Sequence, residues 1–175
     1  MRRALVLTAS DGVSAGVRED VSGAAVEARL TDLGFAVDRI LVPDEASEIS
    51  AALAAGALDH DLVVTTGGTG LTPRDVTPQA TRAVIDYDVP GLAEAMRAAG
   101  RSITPLADLS RGVVGVLVRA LIVNLPGSSK GALESLAALE PVLEHALETL
   151  AGPFNHDASG VDGGVDAGVA RGGAG

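Results

Sequence analysis

The residues best suited to chemistry stand in residues 61–78, where an apolar run leads into a glycine-rich loop. Gly67, Gly68 and Gly70 have no Cβ atom, so backbone N–H groups in this loop can approach an anion closely. Thr77 suits the N-cap position of a following helix, and the proline after it suits the first helical turn. Loop amides and the positive end of a helix would then converge. The segment is therefore predicted to cradle a phosphate group.

Two charged side chains lie between this loop and the predicted helix. Arg74 is a candidate phosphate partner and Asp75 a candidate metal ligand. The same glycines also occur where a tight strand-to-helix turn is needed, so the loop alone fits a structural turn equally well. A second candidate loop spans residues 124–130, where Gly127 and Ser128 offer N–H and hydroxyl donors. Neither loop has the spacing of a Walker motif or of a dinucleotide-binding motif.

The elements that position these loops alternate between strand-like and helix-like patterns. Strands are predicted at 3–8, 35–42, 60–66 and 111–118, with a reversal near 119–120 and a further strand ending at 124. Helices are predicted at 20–33, 47–58, 77–86, 91–99 and 130–150, the last broken or restarted at Pro141. Strands that are nearly all apolar indicate burial on both faces. The predicted fold class is α/β: three layers around a mostly parallel sheet with a small antiparallel edge.

In such a sheet, ligands collect at the carboxyl ends of the strands, where the strand order reverses. Asp11 follows the first strand, Asp44 the second and the glycine loop the third, while Asn124 ends the last. These groups are therefore expected to meet at one edge of the sheet.

Composition sets limits on domain number and partners. The chain has 175 residues, of which 47% are apolar, and this suits one domain, predicted over residues 1–153. Residues 154–175 are rich in Gly, Ala and Asp without a period, so a disordered tail is expected. A net charge of -10 with 2% aromatics argues against nucleic-acid binding. The absence of cysteine leaves oxygen or imidazole ligands for any metal, which favours magnesium. No membrane-spanning run or leader is apparent, so a cytoplasmic location is expected.

Seven motifs occur in an order that resembles one known family. They are SDGVSAG, VPDE, TTGGTG, RDVTP, VPGLAEAMR, LSRG and NLPGS, and they fall between residue 3 and about residue 153. The chain resembles the Mog/MoaB proteins of molybdenum cofactor biosynthesis. The resemblance implies a molybdopterin-binding fold and molybdopterin adenylyltransferase activity, in which AMP passes from Mg-ATP to the terminal phosphate of molybdopterin and pyrophosphate is released. It also implies a homotrimer and hand-over of the product to a molybdenum insertase.

The resemblance also implies roles for individual residues. The two catalytic acids of the family fall on Asp44 and Asp75, which are also the predicted magnesium ligands. The predicted substrate-contacting residues are Asp11, Gly67, Gly68, Thr69, Gly70, Arg74, Thr77, Glu94, Asn124, Pro126, Gly127 and Ser128. This chain departs from the family pattern at three positions: Gly12 stands where an arginine or other polar residue often follows Ser-Asp, Gln79 where an acid is frequent, and Ser129 where proline is frequent.

Other interpretations stay open at the level of sequence. Asp44 could be a turn residue and Asp75 a helix cap, with Glu94 on a solvated helix face. The whole chain could be a catalytically silent molybdopterin-binding or scaffold member of the same family. Sequence does not decide between molybdenum and tungsten, or between ATP and GTP.

Overall fold

The computed structural model describes residues 1–152, and the predicted tail lies outside these residues. Within them, strands form a single sheet in the order β2-β1-β3-β6-β5-β4. The strands are β1 (Arg3–Ala9), β2 (Ala36–Val42), β3 (Leu62–Thr66), β4 (Tyr87–Asp88), β5 (Val114–Leu117) and β6 (Ala120–Leu125). Strands β2, β1, β3 and β6 are parallel to one another, and β5 and β4 complete an antiparallel edge. The predicted fold class is confirmed.

Helices cover both faces of the sheet, which explains why the central strands are apolar throughout. The helices are α1 (Asp11–Ser14), α2 (Val21–Asp32), α3 (Ala46–Asp59), α4 (Thr77–Arg82), α5 (Pro90–Arg101) and α6 (Ser129–Ala151), with a 3-10 helix at Pro105–Leu109. On one face, α2, α5 and α6 pack over alternate residues of the sheet. On the other face, α3 and α4 pack over the remaining residues. The result is the predicted three-layer arrangement.

Capping residues and glycines determine several boundaries. The Asp20 carboxylate accepts the N–H of Gly23 at 2.9 Å and so caps α2, while Gly34 follows that helix with φ +90°. The segment between β1 and α2, for which no element was predicted, contains the short helix α1, capped by Ser10. The motif residues at the end of β1 are thereby held in a fixed turn.

The helix predicted to reach Asp86 ends at Arg82, because the backbone beyond it joins the sheet. Asp86 N–H donates to the carbonyl of Val116, and Val89 N–H donates to that of Val114. Strand β4 therefore covers β5 and completes the antiparallel edge. The edges are β2 and β4.

The hairpin and the terminal helix also differ in detail from prediction. The chain reverses at Val118, which has φ 57° and donates its N–H to the Asp86 carboxylate at 2.7 Å. Helix α6 runs through Pro141 without a break. Pro141 is exposed, while Leu139 and Leu143 on either side are buried against the sheet. Continuous burial of this apolar stripe outweighs the hydrogen bond that proline removes.

Candidate active site

The candidate site lies at the carboxyl ends of the parallel strands. The chain passes from β1 to β2 on one side and then to β3 on the other, so the strand order reverses between β1 and β3. A cleft of about 290 Å³ and another of about 520 Å³ open here, on either side of the glycine loop. The larger one, called the polar cleft below, is lined by Asp44, Gly67, Gly68, Arg74 and Asp75 among others. The predicted meeting of polar groups at this edge is confirmed in outline.

The glycine loop owes its path to residues that need the absence of a side chain. Gly67 has φ +93° and Gly68 φ +65°, which L-residues with a Cβ rarely adopt. A Cβ on Gly67 would lie 2.4 Å from the carbonyl oxygen of Ala9. The loop thus folds tightly over the end of β1. The sequence alone indicated only that a tight strand-to-helix turn could need these glycines.

Thr77 has a different local role from the one predicted. Helix α4 begins at Thr77, its N-cap position is Val76, and no side chain caps it, so the prediction of a Thr77 cap is wrong. The Thr77 hydroxyl donates to the carbonyl of Gly67 at 3.0 Å and its N–H donates to that of Gly68 at 3.1 Å. Thr77 is fully buried. These two bonds hold the glycine loop against the buried start of α4. The N–H group of Thr77 already has an acceptor in the protein, so it is not directed at an anion.

Asp44 is held by a reciprocal pair of hydrogen bonds with Asp11. The N–H of Asp11 donates to Asp44 Oδ2 at 3.0 Å, and the N–H of Asp44 donates to Asp11 Oδ1 at 3.0 Å. The two loops that follow β1 and β2 are therefore joined by their own acidic side chains. Asp44 Oδ1 lies on the side of the glycine loop, 3.5 Å from the position that a Cβ of Gly68 would take.

Arg74 is engaged with acids in this structure. Its Nη2 lies 2.6 Å from Asp11 Oδ2 and its Nη1 lies 3.0 Å from Glu45 Oε1. The Asp44 N–H, followed by the Arg74 guanidinium, lowers the pKa of Asp11 below its ordinary value. The predicted phosphate contact of Arg74 stays a prediction, and it would require these ion pairs to loosen.

Asp75 also lines the polar cleft, and its Oδ2 lies 3.0 Å from the position that a Cβ of Gly70 would take. Its Oδ2 accepts the Thr72 N–H at 2.8 Å and the Thr72 hydroxyl at 2.6 Å. Partial burial raises the pKa of Asp75, but the bonds from Thr72 and Gly70, together with Arg111, outweigh this and hold it below its usual value. Asp75 therefore closes the turn from residue 72 and is ionised at neutral pH; it does not cap α4.

Arg111 holds the glycine loop in place through hydrogen bonds to backbone carbonyl groups. Its Nε donates to the carbonyl of Gly70 at 2.7 Å, and its Nη2 donates to the carbonyl of Asp75. Its N–H also donates to the carbonyl of Thr69 at 3.0 Å. This residue belongs to the LSRG motif, whose role the sequence did not reveal.

The second cleft, called the apolar cleft below, lies on the far side of the loop. Thr69, Gly70, Asn124, Pro126 and Ser128 form one wall. The opposite wall comes from α5, the 3-10 helix and α6, and it includes the side chains of Met96, Leu106 and Leu109. Ser128 lines both clefts, so the two spaces meet beside it.

Three predicted contact residues differ in how they are used. The Asn124 side chain is 1% exposed, and its amide bonds Val113 N–H, Thr65 and Thr81, so its groups already have partners within the fold. Gly127 packs against the loop, since a Cβ there would lie 3.2 Å from Gly67 Cα. Glu94 lies on the exposed face of α5, outside the lining of both clefts. Ligand contact by these residues stays a prediction.

Sequence reasoning missed several polar side chains of the polar cleft. Ser22 donates to Thr66 at 3.3 Å, Thr66 to Thr8 at 3.1 Å, and Thr8 to Asp20 at 3.0 Å. This hydroxyl chain forms the floor of the cleft. The signal was available, because Thr8 and Thr66 stand near the carboxyl ends of two adjacent parallel strands. Arg18 also lines the cleft, and nothing in its local pattern indicated this.

Comparison with known proteins places this site in a family. Residues 5–145 match the family described as "Probable molybdopterin binding domain". The match spans most of the chain. The chain belongs to the Mog/MoaB family. The predicted resemblance is thereby confirmed.

Individual relatives agree with this assignment. The chain is 39% identical over 156 residues to the molybdopterin adenylyltransferase of Helicobacter pylori. This match covers 85% of this chain and 88% of that protein. The chain is 43% identical over 151 residues to the molybdenum cofactor biosynthesis bifunctional protein of Synechococcus elongatus, of which it covers 47%, so it spans about half of that relative. The solved structure of the molybdopterin biosynthesis enzyme MoaB from Thermus thermophilus is 50% identical, with a TM-score of 0.79 over 87% of this chain and 98% of that one.

No helix within residues 1–152 combines the length and apolar character needed to cross a membrane.

Proposed function

We propose that this protein is a molybdopterin adenylyltransferase. The observation that carries the proposal is the polar cleft at the switch in strand order, which Asp44 and Asp75 line together with the glycine loop. The curated relatives named molybdopterin adenylyltransferase bear out the predicted class of enzyme, a nucleotidyltransferase. Transfer of AMP from Mg-ATP to molybdopterin, with release of pyrophosphate, is the specific reaction proposed.

The reaction brings two phosphate groups together. An oxygen of the terminal phosphate of molybdopterin attacks the α-phosphorus of ATP, and the bond from that phosphorus to the bridging oxygen breaks as pyrophosphate leaves. The protein must hold the two reactants in line and offset their like charges. Loop amides near Gly68 and Gly70 supply close-range donors, and the cations lining the cleft supply charge.

The residues present fit a magnesium ion bound together with substrate. Asp44 and Asp75 both line the polar cleft and offer carboxylate oxygens, which are the ligands that magnesium prefers. Residues 1–152 contain no cluster of three or more side chains that would hold a metal alone. Such a site suits an ion that takes most of its ligands from phosphates and water. Bound magnesium would neutralise charge on the phosphate oxygens, while Asp11 keeps Asp44 in position through their reciprocal bonds.

The two clefts suit a product with two ring systems joined through phosphates. The polar cleft and the apolar cleft meet at Ser128, beside the glycine loop. Adenine and pterin rings need apolar walls with a few polar groups, and the phosphates between them need the loop. The joint at Ser128 is where we expect the transferred phosphate to lie.

The test is conversion of molybdopterin and Mg-ATP to adenylyl-molybdopterin with release of pyrophosphate. We expect Asp75→Asn to lower kcat at least about a hundredfold, because the neutral amide no longer provides an anionic metal ligand. Asp59→Asn, on the exposed end of α3, is the matched control and should keep full activity. The variant's fold is checked by its unfolding temperature. Near-normal turnover in Asp75→Asn would contradict the assigned role.

A wild-type protein that binds molybdopterin but forms no product with ATP or GTP would favour the catalytically silent alternative. The same assay with GTP in place of ATP decides nucleotide preference. A cytoplasmic location and hand-over of the product to a molybdenum insertase stay predictions of this proposal.

A further inference from the structure

Arg18 is a cation in the polar cleft that the fold itself does not use. Its side chain is exposed and lines the cleft together with Asp44, Gly68 and Asp75. Within residues 1–152, no hydrogen bond or ion pair engages its guanidinium group. Arg74, the other arginine of this cleft, instead has ion pairs with two acids. Arg18 is therefore the arginine there whose donors are available to a ligand.

The aliphatic part of the Arg18 side chain passes close to Gly12. The N–H groups of Val17 and Arg18 both donate to the carbonyl of Gly12 at 3.0 Å, so the loop folds back on itself. A Cβ on Gly12 would lie 2.9 Å from Arg18 Cδ, closer than real Cβ contacts. Gly12 thus leaves the space that the aliphatic part of Arg18 occupies.

From this arrangement we infer that Arg18 binds phosphate oxygens of the nucleoside triphosphate in the polar cleft. The inference rests on the proposed function, since it assigns the phosphates to this cleft. A planar guanidinium can give two parallel hydrogen bonds to one phosphate, which a point charge cannot do.

The experiment measures Mg-ATP binding by titration calorimetry and, separately, kcat and KM. Arg18→Gln should weaken Mg-ATP binding and raise KM by about tenfold or more, because a hydrogen-bonded charge contact is lost, while adenosine binding stays unchanged. Arg18→Lys should recover part of the affinity, since it keeps the charge without the planar fork. Gly12→Ala should lower the affinity less than Arg18→Gln does, because the exposed side chain of Arg18 can shift to make room for the methyl group.

Two control variants separate this role from general effects. Arg82→Gln removes an exposed arginine of α4 outside the polar cleft, and it should leave Mg-ATP affinity within about twofold. Gly91→Ala adds a methyl group where nothing lies within 4 Å, so it tests the effect of a glycine substitution alone.

The outcomes distinguish this inference from the proposed function. Unchanged Mg-ATP affinity in Arg18→Gln, or an equal loss of adenosine and ATP affinity, overturns the inference even if the wild type makes product. Selective loss of ATP affinity in a protein that makes no adenylyl-molybdopterin supports Arg18 and contradicts the proposed function. A wild type that binds neither Mg-ATP nor inorganic triphosphate overturns both.

Discussion

At the scale of single residues, the ionisation of Asp75 results from opposed effects. Burial raises the pKa of its carboxyl group, and the hydrogen bonds from Thr72 and Gly70, with the charge of Arg111, lower it further than burial raises it. The proposed metal contact needs the carboxylate form. The turn that brings Thr72 to Asp75 therefore helps to hold the pKa of this carboxyl group low.

We predict that Thr72→Val raises the pKa of Asp75, because a hydroxyl donor to the carboxylate is lost. A carboxyl group with a lowered folded-state pKa stabilises the fold above its unfolded pKa, and this stability is lost as pH falls through the folded pKa. In the variant the stability that depends on this ionisation should be smaller, and its loss should be complete at a higher pH. NMR titration of the side-chain carboxyl carbons measures the change. Asp108, whose pKa is lowered by Arg101, is an internal control and should not change. An unmoved Asp75 titration would contradict the assigned cause.

Sequence reasoning reached some of these residues and not others, for a physical reason. Asp44 and Asp75 follow predicted strands, so their place at the sheet edge could be predicted from topology alone. Whether a side chain points into a cleft depends on the exact turn that carries it. Arg18 lies in such a turn and was missed, while Thr77 directly follows one, at the start of α4, and was given the wrong contact.

At the scale of elements, Asn124 links parts of the fold that are distant in sequence. Its amide bonds Thr65 on β3, Thr81 on α4 and the N–H of Val113 just before β5. No buried side-chain N or O atom within residues 1–152 lacks a hydrogen-bond partner. A buried polar group of this kind specifies one register of β6, since a shifted strand would leave the amide without partners.

We predict that Thr81→Val lowers the free energy of unfolding by about 1 to 3 kcal/mol, because a buried Asn124 donor loses its acceptor. Thr31→Val is the matched control. Thr31 also donates to the carbonyl four residues earlier in its helix, but it is exposed. It should change stability by less than about 0.5 kcal/mol. Urea denaturation gives both values, and equal effects of the two variants would argue against a structural role for the Asn124 bonds.

Element types were largely predictable because most segments are long and periodic. The exceptions are elements that are short or that form only because of contacts with a neighbouring element of the same chain. Strand β4 has two residues and forms only because β5 lies beside it. The break predicted at Pro141 does not occur. Burial of the apolar side chains of α6, such as Leu139 and Leu143, outweighs the low helix propensity of proline.

At the scale of the whole molecule, apolar side chains remain exposed around the site and at one sheet edge. Ile103, Leu106 and Leu109 are more than half exposed beside the apolar cleft. Strand β2 is an edge strand whose Ile40 and Leu41 are also partly exposed. Exposed apolar groups and open strand edges favour contact with another surface.

We predict that the protein is a homotrimer, as the family resemblance implies. Light scattering coupled to size-exclusion chromatography should give a mass about three times that of the 17.4 kDa chain. The value should hold across dilution to low micromolar concentration. A monomer at every concentration would contradict the prediction, and a dimer would show that the subunits associate differently.

The bonds that Arg111 makes to the carbonyls of Gly70 and Asp75 have a consequence for how fast ligands bind. They exist before any ligand arrives, so the loop loses its conformational entropy during folding and not at the binding step. Association with nucleotide should then be a single kinetic step, with an observed rate that rises in proportion to concentration. A loop that had to reorganise first would impose a plateau on that rate. We therefore expect the glycine loop to add no separate conformational step to nucleotide association.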